Sequence, residues 1–210
     1  MRYVDEFHIH YENARIWENT YWFGIPMWKL PFDAFIIQEI IYQTRPEYII
    51  ETGTAHAGSA LFYAGICELL GEGKVITIDI ENKFYQNDVS QHHWSDRITF
   101  LHGSSTNEIV FSDVKHLAGG KRNLVILDSW HSYDHVCKEL ELYEEFVPVG
   151  SYMIVEDTHV SGHPVTWPHG KGPYEAVEWF LSTRDHWEPQ YWCEKFLMTF
   201  NPKGYLKRVK

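Results

Sequence analysis

Two apolar runs in this 210-residue chain end in acid: Leu124-Val-Ile-Leu-Asp128 and Tyr152-Met-Ile-Val-Glu-Asp157. A histidine follows each, at His131 and His159. Runs of β-branched and aliphatic residues suit strands buried on both faces. A carboxylate at the carboxyl end of such a strand emerges where open α/β sheets place their ligands. Asp128, Glu156 and Asp157 could therefore hold one hard divalent cation. The plainer alternative is a solvated strand end, with Asp128 serving as a cap.

A second constellation lies upstream. The strand Tyr48-Ile-Ile-Glu51 runs into the small-residue turn Thr52-Gly-Thr-Ala-His-Ala-Gly58, and a helix follows. Gly53 and Gly58 permit close backbone approach to a ligand, and a helix amino terminus offers free N–H groups. The spacing is not GxGxxG, which weakens a dinucleotide reading. Asp79 ends the next strand, where a carboxylate can hold a ribose diol. Glu51 would repel a pyrophosphate but suits a ligand with positive charge and no phosphate. Together with Asp79 it favours S-adenosylmethionine; a cap or salt bridge is the alternative for Glu51.

The elements that must position these residues follow from local patterns. Pro31 opens a helix with Phe32, Phe35, Ile36, Ile40 and Ile41 on its apolar face, ending before Arg45-Pro46. After the 48–51 strand come a helix over 59–70 and strands over 74–79 and 98–101. A helix over 107–117 leads to the strand ending at Asp128, and one over 133–146 to the strand ending at Asp157. A Gly- and Pro-rich loop (158–173), a helix (174–183) and two strands, near 188–193 and 196–200, close the chain. This alternation predicts βαβ units and a mostly parallel sheet.

Residues 31–210 read as one domain, preceded by an aromatic-rich arm over 1–30 with Trp17, Tyr21, Trp22, Phe23 and Trp28. Such side chains are costly in water, so the arm should pack on the domain, on substrate, or on a second copy in a homo-oligomer.

The formal charge is −11, from 29 acidic and 18 basic residues, which argues against a nucleic-acid partner. The basic stretch Lys207-Arg208-Val209-Lys210 reads as a solvated terminus. Cys67, Cys137 and Cys193 lack a CxxC spacing and read as free thiols of a reducing compartment. No apolar stretch reaches membrane-spanning length and the first residues do not form a signal peptide, so a cytoplasmic protein is expected. The pairs His8/His10 and His92/His93 read as surface histidines.

Six segments then occur in order: Ile50-Glu-Thr-Gly-Thr-Ala-His-Ala-Gly-Ser59, Val75-Ile-Thr-Ile-Asp79, Leu127-Asp-Ser-Trp-His-Ser132, Val155-Glu-Asp-Thr158, Gly162-His-Pro-Val165 and Gly172-Pro-Tyr-Glu-Ala176. The set resembles the cephalosporin hydroxylase-like family, which includes rhamnosyl O-methyltransferases, over residues 20–185. The resemblance implies a Rossmann-like class I methyltransferase fold, with a mostly parallel seven-stranded sheet and helices on both faces. It implies S-adenosylmethionine contacts from Glu51, Gly53, Ser59, Asp79 and Ser104, and Mg²⁺ ligation by Asp128, Glu156 and Asp157. Hard oxygen ligands suit that ion, which lowers the pKa of a bound acceptor hydroxyl.

Metal-dependent catechol-type methyltransferases carry a lysine base at the offset where His131 stands. By resemblance His131 takes that role, since an imidazole suits proton transfer at neutral pH. A hydrogen bond to the cofactor or to a backbone carbonyl is an equal alternative. Family members often have an acidic or small polar residue at the place of Trp130. Trp130, His159, His163 and Trp167 are expected near the acceptor, a hydroxyl of a sugar or glycosylated metabolite. Two other readings compete: a non-haem iron hydroxylase, which needs two histidines and one carboxylate on one metal, and a catalytically silent S-adenosylmethionine-binding partner.

Overall fold

The computed structural model describes residues 2–81, 89–166, 168 and 170–210. The N-terminal segment forms α1 (Arg2–Asn13) and a small antiparallel hairpin of β1 (Tyr21–Trp22) and β2 (Ile25–Pro26). Next come α2 (Pro31–Thr44), β3 (Tyr48–Thr52), α3 (Gly58–Leu70), β4 (Lys74–Asp79) and β5 (Ile98–His102). The second half holds α4 (Glu108–Ala118), β6 (Asn123–Leu127), α5 (Tyr133–Tyr143), β7 (Tyr152–Val155), α6 (Pro173–Thr183), β8 (Trp187–Pro189) and β9 (Tyr205–Arg208).

The seven long-range strands form one sheet in the order β5-β4-β3-β6-β7-β9-β8, and only β9 runs antiparallel to its neighbours. Alternate side chains divide between two cores. Ile49, Val75, Ile126 and Ile154 face α2 and α3, whereas Ile50, Ile76, Val125 and Val155 face α4, α5 and α6. The α/β reading of the sequence therefore holds, helices on both faces included. Successive strands run from β3 outward to β5, and the chain then returns to β6 on the other side of β3. That reversal places a crevice beyond the carboxyl ends of β3 and β6.

The arm is less separate than its composition implies. Ile25, Met27 and Leu30 are buried, and β2 lies against the first turn of α3. A Cβ on Gly58 would stand 2.2 Å from the Pro26 carbonyl oxygen, so only glycine admits that crossing. Tyr3, Phe7, Tyr21 and Phe23 stay exposed.

The closing strands differ from expectation. Residues 191–194 make a 3-10 turn, and the last strand is 205–208, not 196–200. The cause is Asp33, a buried carboxylate on α2. It accepts hydrogen bonds from Thr199 Oγ1 (2.6 Å), the Phe200 N–H (2.8 Å) and Tyr205 OH (2.9 Å), which bends 199–204 away from the sheet. Nor is the basic terminus merely solvated: β9 pairs on both sides, and Arg208 Nη1 donates to the Val147 carbonyl at 2.8 Å. The three thiols are free, with burial raising Cys67 to about 11 and Cys193 to about 12. No helix among the described residues is long and apolar enough to cross a membrane.

Candidate active site at the carboxyl end of the sheet

A cavity of about 730 Å³ opens at these strand ends, a size typical of small-molecule sites. Gly53, Ser59, Asp79 and Ser104 line it, four of the five expected cofactor contacts. Asp79 is fixed by two backbone donors, Ala55 N–H to Oδ2 (2.8 Å) and Glu81 N–H to Oδ1 (2.9 Å). Each carboxylate oxygen keeps a further lone pair for a diol. Gly53 has φ +92°, and a Cβ there would stand 1.8 Å from the Asp128 carbonyl oxygen. The glycine thus serves first to bring the ends of β3 and β6 together, and only secondarily a ligand.

Glu51, the fifth, does not line the cavity. It is wholly buried behind it, with Oε2 accepting from Thr77 Oγ1 at 2.7 Å. Burial lifts its carboxyl to about 7 against the pull of Lys29, Ser59 and Thr77. Its Oε1 has no hydrogen-bond partner among the described residues. An orphaned acidic oxygen beside the cavity fits a cationic ligand group, and Asp79 fits a ribose.

The other half is acidic. Asp128, His131 and Asp157 each offer a ligand atom, and these atoms all lie within 4.8 Å of one another. His131 Nε2 is 3.1 Å from Asp157 Oδ2. Asp157 holds a left-handed backbone (φ +56°), and its N–H donates to Asn201 Oδ1 at 3.0 Å. Glu156 stands outside that cluster because it is turned to a residue the sequence did not flag. Lys29 Nζ is 2.8 Å from Glu156 Oε2 and 2.7 Å from Asp128 Oδ2, and its side chain is 2% exposed. Burial, opposed by Lys29, holds both Asp128 and Glu156 above the ordinary carboxylate range. Burial works against the Lys29 charge, but Asp128 and Glu156 outweigh it and raise its pKa. Glu156 Oε1 remains buried without a hydrogen-bond partner among the described residues. The converging donors of Asp128, His131 and Asp157 fit a divalent cation.

The loop after β6 is held by Ser129, whose Oγ donates to Glu139 Oε1 at 2.7 Å and lies 3.0 Å from His135 Nε2. Neither Glu139 nor His135 stood out in the sequence.

The remaining wall comes largely from the N-terminal segment: Glu12, Trp17 and Trp28 line the cavity beside Trp130, His159 and Phe200. Trp130 is exposed at the rim. His159 is buried, and its Nδ1 must carry the proton, since it donates to the Phe200 carbonyl at 2.9 Å. Its Nε2 is 3.5 Å from Glu12 Oε2. Burial opposes its charge, but Glu12 and Asp157 prevail and the pKa rises. His8 corrects the surface assignment: it is buried, with its ring stacked on Phe200 and His159. Burial and the neighbouring His159 depress it to about 4.

His163 is not part of the cavity wall. It bonds Glu175 Oε1 at 2.8 Å and stacks on Tyr174, while Glu175 Oε2 accepts the Gly172 N–H at the start of α6. Trp167 lies outside the described residues.

This strand order, with its cavity at the sheet's reversal point and an acid closing β4, defines a class I, S-adenosylmethionine-dependent methyltransferase. Residues 14–209 match the family Rhamnosyl O-methyltransferase/CmcI. The chain belongs to that family and is an O-methyltransferase. The match extends past the 20–185 expected from motifs, taking in both the aromatic segment and β9.

The rhamnosyl O-methyltransferase of Mycobacterium tuberculosis (strain H37Rv) is 34% identical over 210 residues, covering 98% of this chain and 84% of that protein. That of Mycobacterium leprae is 32% identical, covering 98% and 90%. Among solved structures, CmcI with Mg and SAM has a TM-score of 0.71 at 19% identity, covering 92% of this chain and 78% of that one. TomG, an O-methyltransferase from Streptomyces achromogenes in complex with SAM, has a TM-score of 0.57 at 15% identity, covering 88% and 79%. These structural likenesses bear on the fold. The iron-hydroxylase and silent-partner readings are not favoured beside the family match.

Proposed function

We propose that the chain is a Mg²⁺-dependent O-methyltransferase that methylates a hydroxyl of a sugar or glycosylated metabolite. The observation that carries this reading is the convergence of Asp128, His131 and Asp157 within 4.8 Å, in the same cavity as Asp79. The rhamnosyl acceptor named for the Mycobacterium relatives and the tryptophan-lined wall support a sugar. A pyranose ring presents C–H faces that pack on indoles.

When bound, S-adenosylmethionine supplies the methyl group and the cation acidifies the acceptor hydroxyl. Asp79 would hold the ribose, with Gly53, Ser59 and Ser104 shaping the cofactor side. Asp128 and Asp157, with the free oxygen of Glu156, would hold the ion. Trp28 and Trp130 would orient the acceptor with its hydroxyl toward the cofactor side of the cavity. His131, beside Asp157, takes the hydroxyl proton. The N-terminal segment and residues 31–210 act in this reading as one catalytic unit.

Calorimetry with S-adenosylmethionine tests the cofactor half: saturable binding is expected. Transfer of labelled methyl from it to methyl α-L-rhamnopyranoside, with Mg²⁺ or with EDTA, tests the rest. Equal turnover in EDTA would rule out the cation. Transfer to a phenolic catechol but not to the glycoside would rule out the sugar.

A further inference from the structure

We infer that Lys29 is a positioning residue for the cation site: a tethered cation that sets Asp128 and Glu156 for a divalent ion. This rests on the cation reading above and adds a residue that the reading does not require.

The geometry is specific. The Lys29 ammonium touches one oxygen of each of two carboxylates, 2.7 Å from Asp128 Oδ2 and 2.8 Å from Glu156 Oε2. These residues immediately follow β6 and β7, which are hydrogen-bonded neighbours. The lysine therefore clamps two adjacent strand ends from beneath the cavity, whose lining does not include it. By taking Oε2, it leaves Glu156 Oε1 buried and without a hydrogen-bond partner among the described residues. A buried ammonium persists only where charge and hydrogen bonds compensate it, and among the described residues this one is compensated at salt-bridge distance by proposed metal ligands alone.

Its delivery is rigid as well. Lys29 sits between buried Met27 and Leu30, directly before α2, on a segment locked to α3 by the Pro26–Gly58 contact. A supporting group on such backbone can hold its partners to the tolerance that a metal site needs.

Charge counting points the same way. Asp128, Glu156 and Asp157 would carry three negative charges, and Lys29 contributes one positive. A divalent ion then makes the group neutral, where Glu156 and Lys29 have no water to screen an excess.

Two effects of opposite sign are in play. Simple Coulomb repulsion would have Lys29 compete with the ion, so that its removal tightened binding. The bidirectional clamp predicts the reverse, because the carboxylates lose the group that spaces them. Residues behind metal ligands typically change affinity by about 10- to 100-fold.

The experiment measures Mn²⁺ binding by electron paramagnetic resonance on the full chain, comparing wild type with Lys29→Met. Melting temperature and S-adenosylmethionine affinity are measured in parallel. The expected result is Mn²⁺ binding weakened at least about tenfold, with cofactor affinity within about twofold. Unchanged or tighter Mn²⁺ binding by a folded Lys29→Met variant overturns the inference while leaving the cation reading intact. If the wild type binds no Mn²⁺, the cation reading fails and this inference with it.

If Lys29→Met does not fold, the pair Lys29→Met/Glu156→Gln is compared with Glu156→Gln alone. Removing both charges relieves the buried imbalance, yet Asp128 still loses its clamp. A further tenfold weakening in the double variant supports the role; equal affinity overturns it.

Discussion

The Asn201 side-chain oxygen accepts the backbone N–H of Asp157 at 3.0 Å, tying the start of the loop after β7 to a segment 44 residues downstream. Asn201 is wholly buried, and its own N–H donates to Thr199 Oγ1, which donates in turn to Asp33. A cavity wall thus rests on a polar network centred on α2. Replacing Asn201 with Ala leaves the Asp157 N–H without its acceptor. Destabilisation by about 1–3 kcal/mol is expected, measured by urea unfolding, together with weaker Mn²⁺ binding. An unaltered Mn²⁺ affinity would show that the network supports the fold alone.

Asp157 itself occupies the left-handed region at φ +56°. Asn tolerates that conformation nearly as well as Asp, whereas Ala does not. Asp157→Asn should therefore keep the melting temperature within a few degrees and lose Mg²⁺-dependent turnover by at least about 100-fold, as expected when a carboxylate ligand goes. Asp157→Ala should lose the same activity and roughly 1 kcal/mol of stability besides. Retained turnover in Asp157→Asn would remove this residue from the cation site.

What could be read in advance follows from how each feature is encoded. β6 and β7 are continuous apolar runs, and their terminal acids sit at fixed steps from those runs, so the strands and the candidate site they carry were legible together. Lys29 was not. Its partner Asp128 is 99 residues away, and a pairing across that distance leaves no periodic mark. The one local sign was a charge placed between Met27-Trp28 and Leu30. The misplaced last strand has the same origin. Residues 196–200 are apolar enough for a strand, but Asp33, 166 residues from Thr199, captures them. His8 was read as a surface group because the His8/His10 pair has no metal-like partner at a readable spacing, while the rings that bury it come from His159 and Phe200.

His131 Nε2 and Asp157 Oδ2 are 3.1 Å apart, close enough for the carboxylate to orient the imidazole. In the proposed reaction the imidazole removes a proton and need not ligate the ion. His131→Ala should lower kcat by about 10²- to 10⁴-fold, with Mn²⁺ affinity changed less than about tenfold. Exogenous imidazole should restore part of the rate. Loss of Mn²⁺ binding in this variant would make His131 a ligand instead of the base.

Trp28 lines the cavity and meets His56 edge-on, with ring centroids 4.5 Å apart. An indole there offers a face for an acceptor ring and no contact with the reacting oxygen. Trp28→Ala is expected to raise the KM for the glycoside by about five- to tenfold, the range for one lost aromatic contact, with the KM for S-adenosylmethionine unchanged. Trp28→Phe should recover most of the difference. Equal effects on both substrates would place Trp28 in the support of the fold and not in the acceptor wall.

His8 makes folding sensitive to acid. Its folded pKa is about 4, below the roughly 6.5 of an unperturbed imidazole. The folded chain therefore keeps His8 neutral while the unfolded chain binds a proton across that interval. Stability present above pH 6.5 is lost progressively as pH falls toward 4. His8→Phe removes the group that titrates and retains a ring to stack on Phe200, whose plane lies 9° from that of His8. It also removes Nε2, which is buried and has no hydrogen-bond partner among the described residues. The variant should be no less stable than the wild type at pH 7 and should lose less stability between pH 6.5 and 4, measured by urea unfolding at each pH. His159 titrates in the opposite sense and is present in both proteins, so the difference between the two curves reports His8 together with its repulsion of His159. Parallel curves would mean that His8 is already protonated in the folded chain.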